Sequence, residues 1–175
     1  MNRFRTALYT GLCSLMTVAA GQTGLAEPVG TAEAAKPEPL YSYQEYMVLM
    51  RDGVKLQTVV LRPIGRKGEK LPIMLKRTPY GVPDKAWDTV PFEQADLAKD
   101  GYVWVFQNLR GRFKSEGTFI VSLNIDTKNP QAIDEATDAY DTIDWLVKHV
   151  PDNNGRFGIF GISYSGLTPG MALVL

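Results

Sequence analysis

Arg156-Phe157-Gly158-Ile159-Phe160-Gly161-Ile162-Ser163-Tyr164-Ser165-Gly166 passes from a short apolar run into a turn rich in glycine and serine. Arg156 to Phe160 has the length and residue types of a strand, and the residues that follow suit a turn into a helix. Small residues stand two before and two after Ser163, where a larger Cβ would collide with the adjoining backbone. The pattern fits a nucleophile elbow, a sharp turn that pushes one serine hydroxyl into the open. Ser163 is therefore the candidate nucleophile. Ser165 falls in the first turn of the following helix, where serine caps or packs.

Working back from the elbow, Asp134 to His149 keeps helical spacing through Ile133, Ala136, Tyr140, Ile143, Val147 and Val150, and stops at Pro151 and Asp152-Asn153-Asn154-Gly155. Tyr102 to Gln107 (YVWVFQ) is a continuous apolar run, the mark of a strand buried on both faces of a central sheet. Phe92 to Lys99 reads as a helix that turns Phe92, Ala95 and Leu97/Ala98 to one face and stops at Asp100-Gly101. Leu71 to Lys76 is a short strand ending at the loop Arg77-Thr78-Pro79-Tyr80-Gly81. Tyr43 to Met50 and Val54 to Arg62, separated by Arg51-Asp52-Gly53, predict an antiparallel hairpin. The alternation of strand, helix and strand places the chain in the α/β class, with a mixed, mostly parallel sheet flanked by helices.

Composition bounds the function. The 175 residues are 45% hydrophobic and 22% charged, with 19 basic against 19 acidic side chains. A formal charge of zero gives no basic face for nucleic acid. One Cys and one His leave no disulfide framework and no Cys/His zinc cluster, so neither metal nor cofactor is expected. Arg3 and Arg5 precede the apolar run Thr6 to Ala20, which ends near Gly24-Leu25-Ala26. That is the layout of a secretory signal peptide over residues 1–26, too short to be a membrane span. Cleavage after Ala26 removes Cys13 and leaves a periplasmic or secreted chain with no membrane attachment. Residues 27–40, rich in Pro, Ala and Glu, read as a flexible leader, and residues 41–175 as the folded domain.

A serine hydroxyl is a weak nucleophile and needs a general base, normally a His oriented by a carboxylate. His149 is the only histidine, and it is expected at the end of the helix leading into the elbow strand, far from the elbow, where it suits the helix dipole. Residues 164–175 contain no His, Asp or Glu, so the order serine, acid, histidine is not completed here.

Five stretches in order carry a resemblance: Thr78-Pro79-Tyr80; Asn108-Leu109-Arg110-Gly111-Arg112-Phe113-Lys114-Ser115-Glu116-Gly117; Asp134-Glu135-Ala136-Thr137-Asp138-Ala139-Tyr140-Asp141-Thr142-Ile143-Asp144-Trp145-Leu146; Asn154-Gly155-Arg156; and Gly161-Ile162-Ser163-Tyr164. From about Tyr41 to Leu175 the chain resembles the N-terminal part of the cocaine esterase and X-Pro dipeptidyl-peptidase group of serine hydrolases. Within that group it is most similar to the α-amino-acid ester hydrolases. The resemblance implies the N-terminal part of an α/β-hydrolase fold, truncated after the elbow and lacking a helical cap, a C-terminal jelly-roll, and the acid and histidine of the triad. It further implies that Ser163 attacks an acyl carbonyl while the Tyr80 phenol and the Tyr164 backbone N–H hold the oxyanion. The substrate would be a small-molecule ester, amide or amino-β-lactam, and the full-length protein could be a homo-oligomer.

Arg110 and Arg112 are expected to be solvated or structurally paired and stay outside the site. Two positions depart from the family pattern. Asn108 stands where relatives usually carry Asp, keeping the shape but losing the charge. Pro169 falls inside the helix after the elbow, at about 3 kcal/mol unless it lies in the first turn. The alternative to an acyl hydrolase is a non-catalytic remnant or a binding partner for another chain.

Overall fold

The computed structural model describes residues 38–121, 125–129 and 131–174. The signal peptide expected over residues 1–26 lies outside them, as does the leader apart from residues 38–40. Eight strands and α-helices follow in chain order among the described residues: β1 (Tyr41–Leu49), β2 (Lys55–Pro63), β3 (Leu71–Thr78), α1 (Ala95–Ala98), β4 (Val103–Asn108), α2 (Glu135–His149), β5 (Asn153–Ile159) and α3 (Tyr164–Ala172). The strands form one sheet in the order β1-β2-β4-β3-β5. β1 pairs antiparallel with β2, and β2 antiparallel with β4. β3 lies parallel between β4 and β5. This is the mixed sheet expected from the sequence.

The β1–β2 hairpin turns at Arg51-Asp52-Gly53, where Gly53 adopts φ +88°, a conformation closed to most side chains. β4 is buried along its whole length, as a strand at the centre of a covered sheet must be. Its side chains alternate. Val103 and Val105 join Val60, Leu71, Ile73, Leu75, Leu146 and Val150 on the face covered by α2. Trp104 and Phe106 join Tyr41, Val59 and Leu61 on the opposite face.

That second face is covered mainly by a loop. Trp87 packs edge-on against Tyr41 at 5.4 Å and Phe106 at 5.6 Å, and tilted against Trp104 at 6.2 Å. The helix predicted over Phe92–Lys99 is reduced to a 3-10 turn, Phe92–Gln94, followed by the four residues of α1. Phe92 is 95% exposed, and the buried side chain there is Gln94. Two turns cannot hold a full apolar face, and Trp87, upstream, already occupies the sheet.

α2 starts one residue after Asp134, which caps it. The Asp134 carboxylate accepts from the N–H groups of Ala136 and Thr137, while the Asp134 N–H donates to Thr137 Oγ1. Its buried face is Ala136, Ala139, Thr142 and Leu146, whereas Tyr140 and Val147, placed in the apolar stripe by spacing, are exposed. β3 also runs two residues further than its apolar pattern. Arg77 is 0% exposed inside the strand, because its charge is met by Glu135 and Asp138 of α2.

Candidate active site

β3 and β5 are parallel neighbours, with Leu75 opposite Ile159, so their carboxyl ends open at one edge of the sheet. β5 leads through Phe160, Gly161 and Ile162 to Ser163, and β3 leads through Thr78 and Pro79 to Tyr80. Adjacency in the sheet thus brings together two segments far apart in sequence.

Ser163 is exposed and precedes the first residue of α3 with φ +59° and ψ −130°. Serine in this region costs about 1–3 kcal/mol, a strain that persists only where the surroundings impose it. They do so here. A Cβ on Gly161 would run into the backbone carbonyl of Ser165, and one on Gly166 would stand 3.2 Å from the Gly161 oxygen. Strand and helix can approach this closely only through glycine. The Gly166 N–H closes the turn on the Ser163 carbonyl at 2.9 Å. Position at a helix N-terminus also favours negative charge beside Ser163.

Tyr80 is 63% exposed, with its N–H donating to Thr78 Oγ1 at 3.0 Å. Tyr164, the first residue of α3, is half-buried and packs its ring 5.9 Å from Phe119. Burial raises the pKa of its phenol, helped by Glu135 and Tyr80 and opposed by Arg77, so these groups share one electrostatic neighbourhood. Ser165 is buried in the first turn of α3, where its carbonyl accepts from Thr168 Oγ1 at 3.0 Å.

Beneath this edge lies a chain of charges. Arg77 donates to Gln107 at 2.8 Å and to the Glu135 carbonyl at 2.8 Å, and pairs with the Glu135 carboxylate at 2.9 Å. Asp138 lies 3.8 Å from Arg77 and takes two hydrogen bonds of 2.7 Å from Arg110, which also grips Asp52 at 2.7 Å. Burial opposes the charge on Arg110, but the hydrogen bonds it donates to Asp138 and Asp52 outweigh it and raise its pKa. Arg110 is thus structurally paired, as expected. Arg112 donates its Nε to the Pro79 carbonyl at 3.0 Å, directly behind Tyr80. The sequence places Arg112 outside the site and gives Arg77 and Thr78 no role in it; for Arg112 the signal in the sequence is the pair of arginines flanking Gly111.

Asn108 is buried and donates to Gln57 Oε1 at 2.7 Å. His149 lies at the end of α2, its Nδ1 2.8 Å from the Trp145 carbonyl and its ring stacked on Trp145 at 4.6 Å. β5 carries the chain from that end of the sheet to the elbow, about 20 Å away for a strand of its length. A cavity of about 290 Å³ lies between Arg110, Thr118, Ile133, Glu135 and Asp138, and Ser163 does not line it. Among the described residues no group of three or more His, Cys, Asp or Glu is placed to hold a metal ion. None of the described helices is long and apolar enough to cross a membrane.

A five-stranded mixed sheet with flanking helices and a strained serine between β5 and α3 defines the N-terminal part of an α/β-hydrolase fold. Residues 52–175 match the X-Pro dipeptidyl-peptidase (S15 family), and the chain belongs to that family. It is 39% identical over 129 residues to the cocaine esterase of Rhodococcus sp. (strain MB1 Bresler), a match covering 73% of this chain and 20% of that protein. Among solved structures it is similar to an α-amino acid ester hydrolase, with 39% identity and a TM-score of 0.69 over 85% of this chain and 26% of the other. An aminopeptidase from a marine sediment Thaumarchaeota archaeon aligns over 87% of this chain and 26% of its own, with 34% identity and a TM-score of 0.66. The chain therefore spans about a fifth to a quarter of the length of these relatives.

Proposed function

We propose that Ser163 is the nucleophile of an exported serine acyl hydrolase that cleaves ester or amide bonds of small molecules. The observation that carries this reading is the strained backbone of Ser163 at the start of α3, exposed beside the end of β3. Ser163 Oγ attacks the substrate carbonyl carbon and passes its proton to a base, which hands it to the departing alcohol or amine. The new Oγ–C bond gives a tetrahedral intermediate with the carbonyl electron pair on oxygen, its collapse breaks the bond to the protonated leaving group, and water then hydrolyses the acyl-enzyme. Negative charge on the carbonyl oxygen is held by the Tyr80 phenol and the Tyr164 backbone N–H, both aimed before charge develops. The base and its carboxylate partner are expected outside residues 38–174, since His149 sits at the opposite end of the sheet. The relatives are named for cocaine ester, amino acid ester and peptide substrates, which supports amino-acid esters as the first class to assay, with amino-β-lactams added on the resemblance carried by the sequence.

The test uses the protein as its own gene encodes it. A fluorophosphonate is expected to label Ser163 in the periplasmic or secreted fraction, on a polypeptide beginning at Glu27, and Ser163→Ala is expected to lower ester turnover by at least about 10⁴-fold. Wild-type turnover by Ser163→Ala would overturn the reading. Label confined to the cytoplasm would overturn export alone.

A further inference from the structure

A phenol that is 63% exposed cannot be fixed by burial of its ring, so its aim depends on the backbone that carries it. The peptide joining Pro79 to Tyr80 is held at both polar ends. Its carbonyl accepts the Arg112 Nε at 3.0 Å, and its N–H donates to Thr78 Oγ1 at 3.0 Å. On the other side of Tyr80, Gly81 adopts φ +109°, and the Phe113 ring fills the space where a Cβ would stand, 3.1 Å away. Phe113 is itself in the left-handed region at φ +51°, a strain tolerated in a loop that is tied elsewhere. Those ties are the Arg110 pairs with Asp52 and Asp138, the Ser115 hydroxyl on the Asn108 carbonyl at 2.8 Å, and the Glu116 N–H on the Lys55 carbonyl at 2.9 Å.

The Arg112 guanidinium also lies 5.6 Å from the Phe113 ring and 5.3 Å from the Phe119 ring, and Phe119 packs on Tyr164 at the elbow. One side chain thus touches the backbone behind Tyr80 and, through a single ring, the residue after Ser163. The geometry points to Arg112 as a positioning residue that holds the Tyr80 phenol in register with the elbow, through the Pro79 carbonyl on one side and Phe119 on the other. The inference rests on the reading of Tyr80 as an oxyanion donor. Arg112 touches no reacting atom; it acts through Tyr80.

A double-mutant cycle on the protein as its gene encodes it tests this, with kcat expressed per Ser163 titrated by fluorophosphonate, so that loss of folded enzyme does not count. Arg112→Ala is expected to lower kcat by about tenfold to a hundredfold with KM within about twofold. Tyr80→Phe is expected to lower kcat by about a hundredfold. Adding Arg112→Ala to Tyr80→Phe is expected to cost no more than about a further twofold, because no phenol remains to be aimed. Arg112→Lys, which keeps a cation between the rings and a donor for the carbonyl, is expected to recover part of the loss. If Arg112→Ala fails to fold, Arg112→Gln takes its place in the cycle. A Tyr80→Phe loss with an undiminished Arg112→Ala loss on top overturns this inference and leaves the oxyanion reading standing. Unchanged kcat in Tyr80→Phe overturns the oxyanion reading and the inference with it.

Discussion

Gly161 and Gly170 lie nine residues apart and tolerate a methyl group very differently. At Gly161 the added carbon meets the Ser165 backbone carbonyl, which cannot swing aside as a flexible side chain would, so strand and helix must part. Gly161→Ala is expected to destabilise the protein by about 1–3 kcal/mol and to slow labelling of Ser163. Gly170 has nothing within 4 Å of its Cβ position and lies within α3, so Gly170→Ala is expected to stabilise by about 0.5–1 kcal/mol. Denaturant melts of the two variants, read side by side, decide the matter, and equal midpoints would refute it. The need for a small residue before the elbow is legible in the sequence because it is a contact between neighbours along the chain. Tyr80 is legible only through resemblance, since an exposed phenol after a proline reads as an ordinary loop aromatic. Its relation to Ser163 exists only once β3 and β5 lie side by side.

At the scale of an element, α3 shows how a proline is accommodated in mid-helix. Pro169 is the sixth residue of α3, beyond the first turn, and has no N–H for the carbonyl four residues back. That carbonyl belongs to Ser165 and is taken instead by the Thr168 hydroxyl at 3.0 Å. Thr168→Val keeps the shape and removes the donor, and is expected to cost about 1–3 kcal/mol in a urea melt. The same change in a Pro169→Ala background should cost markedly less, and an equal cost in both backgrounds would contradict the account. Elements marked by local pattern alone, the β1–β2 hairpin, β4 and the start of α2, are the ones sequence places well. Failures occur where a distant partner decides. The buried face of α2 includes Thr142, whose hydroxyl lies 3.0 Å from Gln107 Oε1, and no apolar pattern marks a threonine as core. β3 continues through Arg77 because acids on α2 meet its charge, while a basic residue after an apolar run reads as the start of a loop.

Across the whole molecule, Asp52, Arg110, Asp138, Arg77 and Glu135 link the hairpin turn, the loop after β4, the first turns of α2 and the end of β3. The Arg110 guanidinium holds the Asp52 carboxyl below its ordinary pKa, with partial burial opposing. A depressed folded-state pKa contributes stability that is present above the unfolded value and lost as pH falls through the folded one. Wild type is therefore expected to be more stable than Asp52→Asn at pH 7, with the gap closing as pH falls below about 4. Urea midpoints measured across that range check it, and a gap that widens on acidification would exclude it. The sheet order β1-β2-β4-β3-β5 has a consequence in time as well as in space. Both neighbours of β3 are synthesised after it, β4 first and β5 last of the described strands, so the edge of β3 that takes β5 stays unpaired until β5 emerges. At roughly 5–20 residues per second that wait lasts several seconds. Throughout it Ile73, Met74 and Leu75 lack their partners on β5, and the end of the sheet that carries both the Tyr80 and the Ser163 segments is complete only when β5 docks.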